Sequence, residues 1–283
     1  MSKTKEFHRP ENWSKAHELL KRSDVNTIPL TVGPRPTALN DLDAEALVDL
    51  EKLQLNYIKL GEDGRVHIGA MTTLQDIYLS ELVKEQANGI LVEAAYYSAT
   101  LGLRNLATLA GAITNPENPP DIPLVLMALD AVVSVQVDEK QTRKVTIVEW
   151  MKDCSQVLLP GEIIREVSFQ TQPMAVAALV RINRTPRDKA IVAAAAVLKV
   201  ENDVCIKAGL VLAGANPTPV RLQEVESLLT GKTLSPDLFD QAATLAKKQA
   251  KPVGDYRGSV TYRTAMAAVL TKRALTDAIK TRK

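Results

Sequence analysis

Between residues 101 and 130 the chain reads LGLRNLATLAGAITNPENPPDIPLVLMALD, and this stretch constrains the fold more than any other. Thr108, Ala110, Gly111 and Ala112 make a tight small-residue turn, and a loop rich in Pro and Asn follows it. The loop ends at Asp121 and Pro123, where an uninterrupted apolar helix begins. Small residues let a backbone approach something closely, and a helix start offers unpaired N–H groups. Together they point to a site for a phosphate-bearing ligand. Asp121 has a second reading as the N-cap of the helix it precedes.

The remaining composition narrows the function classes. A length of 283 residues suits one large domain or two to three smaller ones. The 46% hydrophobic and 24% charged content is that of a soluble globular chain with an ample core. A net charge of +2 makes no electrostatic case for nucleic acid or an anionic membrane. Cys154 and Cys205 form no CxxC, and His8, His17 and His67 are widely separated, which argues against a zinc or iron–sulfur site in this chain. Both cysteines read as small buried hydrophobes. The opening MSKTKEFHRPENW is polar and no apolar run spans a bilayer, so a cytoplasmic location is expected.

Three units are expected, at residues 1–57, 58–170 and 171–283. The first holds an amphipathic helix (WSKAHELLKRS, with Ser14 as cap) and a short strand ending in the rigid turn Gly33, Pro34, Arg35, Pro36. In the second, strands are expected at 66–70, 131–137, 144–148 and 163–169, with a helix over LQDIYLSELV and an Ala-rich helix at 89–100. The third opens with a hairpin whose arms are 194–200 and 205–212, and closes with helices from Ser235 and from about Ser259. Helices and short strands alternate without strict βαβ spacing and without GxGxxG, which predicts an α+β fold rather than a doubly wound sheet.

Several segments in the right order resemble one family. Residues 66–73 (VHIGAMTT) are similar to its "IGA-x-TT" strand and helix start, and residues 103–113 (LRNLATLAGAI) to its "IRN…GGNI" loop. Asp121 and Pro123 with the following LDA, the GEII at 161–164, the LAGANPTPVR at 212–221 and the YR…ALTD of the last helix extend the likeness over about 210 residues. The chain resembles the FAD-binding (medium) subunit of molybdenum hydroxylases of the carbon monoxide dehydrogenase and xanthine dehydrogenase type. That resemblance implies a two-subdomain FAD-binding fold of the molybdopterin-dehydrogenase type, plus a C-terminal α+β subdomain with a small antiparallel sheet. It implies an electron relay: electrons leave a substrate on a large molybdopterin-binding subunit, cross a small [2Fe-2S] subunit and reach FAD, which reduces an external acceptor.

Carried over by motif, the cofactor-binding candidates are Gly33, Arg35, Thr108, Ala110, Gly111 and Asp121. No catalytic or metal-ligating residue is implied. Pro34 stands where the family has a glycine that donates an N–H, and Ala110 and Ala112 stand where it has Gly and Asn. Arg35 compensates if it pairs with phosphate directly. These departures carry a second expectation: a member that keeps the fold as an assembly subunit and has lost FAD. Arg181, Arg184 and Arg187 are candidates to face a cofactor or partner, against the plainer reading of a solvated face.

Overall fold

The computed structural model describes residues 4–34, 44–114, 120–185 and 188–281. Its first sheet is small and parallel. β1 (Glu6–His8) leads into α1 (Trp13–Leu20), then β2 (Thr27–Pro29) and β3 (Ala46–Val48), with the order β1-β3-β2. Helix α1 is capped by Asn12, whose side chain accepts the Lys15 N–H, so the expected cap Ser14 lies one residue inside the helix. Strand β1 has only three residues, none with a hydrophobic alternation long enough to read, and it forms because β3 offers it an edge.

The second sheet has five antiparallel strands: β4 (Ile58–Leu60), β5 (Arg65–Gly69), β6 (Val132–Gln136), β7 (Thr142–Thr146) and β8 (Ile163–Gln170), in the order β4-β5-β8-β6-β7. Between β5 and β6 run α2 (Leu74–Leu79), α3 (Glu81–Lys84), α4 (Ile90–Ser98), α5 (Leu101–Arg104), α6 (Leu109–Thr114) and α7 (Asp121–Ala128). The helix expected over LQDIYLSELV is two helices. Ser80 takes an extended conformation and its hydroxyl caps α3 through the Val83 N–H. Every residue of α7 is buried, which is why its sequence shows no polar face. Two short helices, α8 (Ile147–Trp150) and α9 (Cys154–Val157), precede β8.

The third sheet is antiparallel, with β9 (Val176–Ile182), β10 (Val192–Glu201), β11 (Val204–Ala213) and β12 (Val220–Arg221) in the order β12-β11-β10-β9. The expected hairpin is β10–β11, turned at Asn202 and Asp203 with φ of 48° and 66°. Strand β10 is buried on both faces. Ala193, Ala195 and Val197 join the core of the first two sheets. Val192, Ala194, Ala196 and Leu198 join a second core with α10 (Gln223–Leu229), α11 (Pro236–Gln249) and α12 (Val260–Lys280). The fold is thus mixed helix and sheet, with an antiparallel sheet in its C-terminal part. No described helix is long and apolar enough to cross a membrane.

One titratable cluster lies on the second sheet. His67 bonds Asp63 at 3.0 Å through Nε2 and Glu166 at 2.8 Å through Nδ1, and the Tyr57 hydroxyl donates to Glu166 at 2.7 Å. Burial pulls the His67 pKa down, but the bonds to Asp63 and Glu166 outweigh it and the net shift is upward from 6.5. The hydrogen bond to His67 lowers Asp63; burial works to raise Glu166, and its bonds from Tyr57 and His67 lower it overall. A raised folded-state pKa gives stability that is full below the unfolded value and lost as pH rises through the folded one. The lowered carboxylates give stability that is present above their unfolded values and lost on acidification. The cluster is therefore expected to stabilise most between about pH 5 and 6.5 and to lose that effect on the alkaline side. Urea midpoints measured across this range and up to roughly pH 8.5 should fall less with pH in His67→Gln than in the native chain. Parallel pH slopes in the two proteins would remove the cluster from the account.

Candidate functional site

The small-residue turn does make a close approach, and its target is the chain itself. A Cβ on Gly111 would stand 2.2 Å from the Val32 carbonyl oxygen and 2.9 Å from the Gly33 nitrogen. Only glycine permits that contact. The Thr108 N–H donates to the same Val32 oxygen at 2.8 Å. The segment 108–112 thereby holds the first sheet's loop, with Gly33 partly buried beside it.

The backbone N–H groups of the turn are themselves paired within the chain. Leu109 N–H goes to Thr72 O at 2.9 Å, Ala110 N–H to Ala70 O at 2.9 Å and Ala112 N–H to Thr108 O at 2.9 Å. Gly111 N–H donates to the Thr108 hydroxyl oxygen at 3.1 Å. From Thr108 to Ala112 every backbone donor is engaged inside the protein, and Ala110 is only 3% exposed. Helix α6 has six residues and is locked from behind by Trp150, whose indole N–H donates to Ile113 O.

Asp121 is not the N-cap of α7. Pro120 holds that position, and Asp121 is the first residue of the helix, fully buried. Its Oδ1 lies 2.6 Å from Nε of Arg181 on β9. A carboxylate at a helix N-terminus and a guanidinium paired with it both gain from this placement. The Arg181 guanidinium also sits 4.8 Å from the centre of the Tyr97 ring and donates to Asp188 O at 3.0 Å. Arg181 therefore leaves the solvated face that was its plainer reading. The signal was in the strand period: Ala175, Ala177 and Leu179 enter the first core, and Arg181 shares their parity.

Beyond the pair opens a cleft of about 350 Å³, lined by Glu93, Tyr97, Leu179, Arg181, Asn183 and Arg184. Burial pushes the Glu93 carboxyl up, with Arg181 pulling the other way and Asp121 reinforcing the rise. Glu93 and Tyr97 sit on α4 and carry no sequence motif; the contact of α4 with β9 brings them here. Arg104 is 5% exposed and bonds Gln75 and Ala99 O, so it shapes the turn before 108. Arg35 and Arg187 lie outside the described residues. Cys205 is buried, which pushes its thiol up to about 11, and Cys154 is raised by burial too. Among the described residues no three His, Cys, Asp or Glu side chains gather to hold a metal.

Residues 3–171 match the family described as the FAD binding domain in molybdopterin dehydrogenase, and residues 177–278 match the CO dehydrogenase flavoprotein C-terminal domain. The chain belongs to this FAD-binding family of molybdopterin dehydrogenases. FAD is accordingly the cofactor that goes with this fold. Its relatives include the glyceraldehyde dehydrogenase medium chain of Sulfolobus acidocaldarius, 28% identical over 276 residues, covering 96% of this chain and 97% of that one. Another is the 6-hydroxypseudooxynicotine dehydrogenase complex subunit alpha of Paenarthrobacter nicotinovorans, 30% identical over 249 residues and covering 87% and 80%. Among solved structures, a carbon monoxide dehydrogenase from Hydrogenophaga pseudoflava superposes with a TM-score of 0.86 at 27% identity, over 98% of each chain.

The residues present offer FAD a close-docked glycine contact and a cleft beside a buried ion pair. Gly111 permits the close approach of the Gly33 loop to helix α6, and the Asp121–Arg181 pair borders a cleft at the head of α7. They fit it without donors from residues 109–112, whose N–H groups are spent.

Proposed function

We propose that this chain is the FAD-binding electron-transfer subunit of a multi-subunit molybdopterin-dependent hydroxylase or dehydrogenase, built as three units at 1–57, 58–170 and 171–283. Its partners are a large molybdopterin-binding subunit and a small [2Fe-2S] subunit. Electrons enter from the iron–sulfur partner and leave to an external acceptor. Bound FAD supplies the exchange between one- and two-electron steps. The chain's own part is to bind, orient and exclude water, and no side chain at the site is asked to move a proton.

In this reading Gly33 and Arg35 meet the pyrophosphate, Arg35 as a guanidinium partner. Thr108, Ala110 and Gly111 hold the loop that presents them. Asp121, fixed by Arg181, orients the ring end of the cofactor. The observation that carries the reading is the Gly111–Val32 contact, which docks helix α6 on the loop after β2 in a chain whose residues 3–171 and 177–278 match the family. The names of the relatives support a place in a complex, one being a medium chain and another a complex subunit.

A second reading has its own support. Pro34, Ala112 and the spent donors of 109–112 favour a subunit that keeps the fold for assembly without the cofactor. The absorption spectrum of the purified complex separates the two. A flavin band, with FAD released in proportion to this chain, is expected. Its absence after reconstitution with excess FAD would leave the assembly role standing.

A further inference from the structure

Glu93 stands on α4 one turn before Tyr97, and both side chains line the cleft at the head of α7. The buried guanidinium of that cleft is already committed. Arg181 holds Asp121 at 2.6 Å and lies 4.8 Å from the centre of the Tyr97 ring. It acts on Glu93 through space, and no hydrogen bond or ion pair reaches the Glu93 carboxyl among the described residues. Arg184, the other cation lining the cleft, is exposed and lies 5.8 Å from the centre of the Tyr256 ring. Of the elements packed on α4, α7 and β9 bring Asp121 and Arg181 to face Glu93. Arg104 of α5 turns to Gln75 and to the Tyr78 and Tyr96 rings, Asp76 closes the cap of α2, and Glu81 and Lys84 of α3 pair with each other.

The cleft thus sets two carboxyls, Asp121 and Glu93, against one buried guanidinium. Glu93 is partly buried, and the water that still reaches it supports its charge. Burial and Asp121 already favour its neutral form, against the pull of Arg181. A flat ring system laid over the cleft takes that water away, and a carboxylate left out of water without a partner costs more than a bound proton. We propose that FAD binding in this cleft is coupled to uptake of a proton at the Glu93 carboxyl, so that the occupied site holds an ionised Asp121–Arg181 pair beside a neutral Glu93. The proton comes from solvent and stays on the carboxyl; it takes no part in electron transfer. The inference rests on the FAD reading and adds a pH control to it.

FAD titrated calorimetrically into the full chain, stripped of flavin, in buffers of differing ionisation enthalpy counts the protons directly. Close to one proton per FAD is expected where the free carboxyl is ionised and the covered one is not, a window that opens above the ordinary value of 4.5. A group whose pKa rises on binding gives an affinity that is flat and highest below the free value. Above it the affinity falls with pH, by up to about tenfold per pH unit. Glu93→Gln, uncharged at every pH, should take up no proton and bind FAD with an affinity that stays level from about pH 5 to 8. Glu93→Met should do the same if the amide disturbs packing, whereas a merely structural role would lower affinity equally at every pH. FAD that binds with no proton taken up, or with the same uptake in both variants, overturns the inference and leaves the cofactor reading standing. No FAD binding at any pH overturns both.

Discussion

Gly111→Ala is expected to destabilise the chain by about 2–4 kcal/mol and to lower FAD retention with it. The new methyl group would stand 2.2 Å from a backbone oxygen, Val32 O, and 2.5 Å from its carbonyl carbon. No side-chain rotation relieves a clash with backbone. The loop carrying Gly33 must move away, and the Thr108 N–H to Val32 O bond goes with it. Gly102, on the surface helix α5, is the control. A Cβ there meets nothing within 4 Å. Gly102→Ala should hold or gain stability, because alanine in a helix lowers the entropy cost of ordering the chain. Urea unfolding of the three proteins measures the difference. If Gly111→Ala unfolds with the native midpoint, the two loops are not docked as described.

The pattern of what sequence could and could not reveal follows the range of the interactions. The β10–β11 hairpin was legible because its arms alternate between two cores and its turn holds Asn202 and Asp203, residues that tolerate left-handed backbone. Helix α11 was legible from Ser235 and Pro236, a local cap and its first residue. Strand β1 was not, since three residues bear no period, and its parallel pairing with β3 spans 40 residues from Glu6 to Ala46. The turn at 108–112 shows the same divide. Its composition announced a close approach, and the approach exists. What lies opposite Gly111, the Val32 carbonyl, depends on a contact across 79 residues. The spent donors at Leu109 and Ala110 depend likewise on Thr72 and Ala70 from another segment. A motif therefore fixes which backbone must be bare, and tertiary packing decides what meets it.

Asp121 and Arg181 give the other large effect. Both side chains are buried, at 0% and 5% exposure. Removing one partner leaves a desolvated charge with no counter-ion, and Arg181→Met or Asp121→Leu should each cost about 3–5 kcal/mol. Replacing both together should cost far less than the sum, because two apolar side chains of similar volume avoid the desolvation of two ions. A double-mutant cycle by urea unfolding measures the coupling. Additive losses in the double variant would mean that each residue acts through other contacts, Tyr97 and Asp188 for Arg181, rather than through the pair. The same variants bear on function. Because the pair borders the cleft lined by Glu93 and Tyr97, the double variant keeps the fold while removing the carboxylate assigned to orient the cofactor. Its expected phenotype is near-native stability with weakened FAD binding, whereas a purely structural pair would leave flavin content untouched once stability is restored.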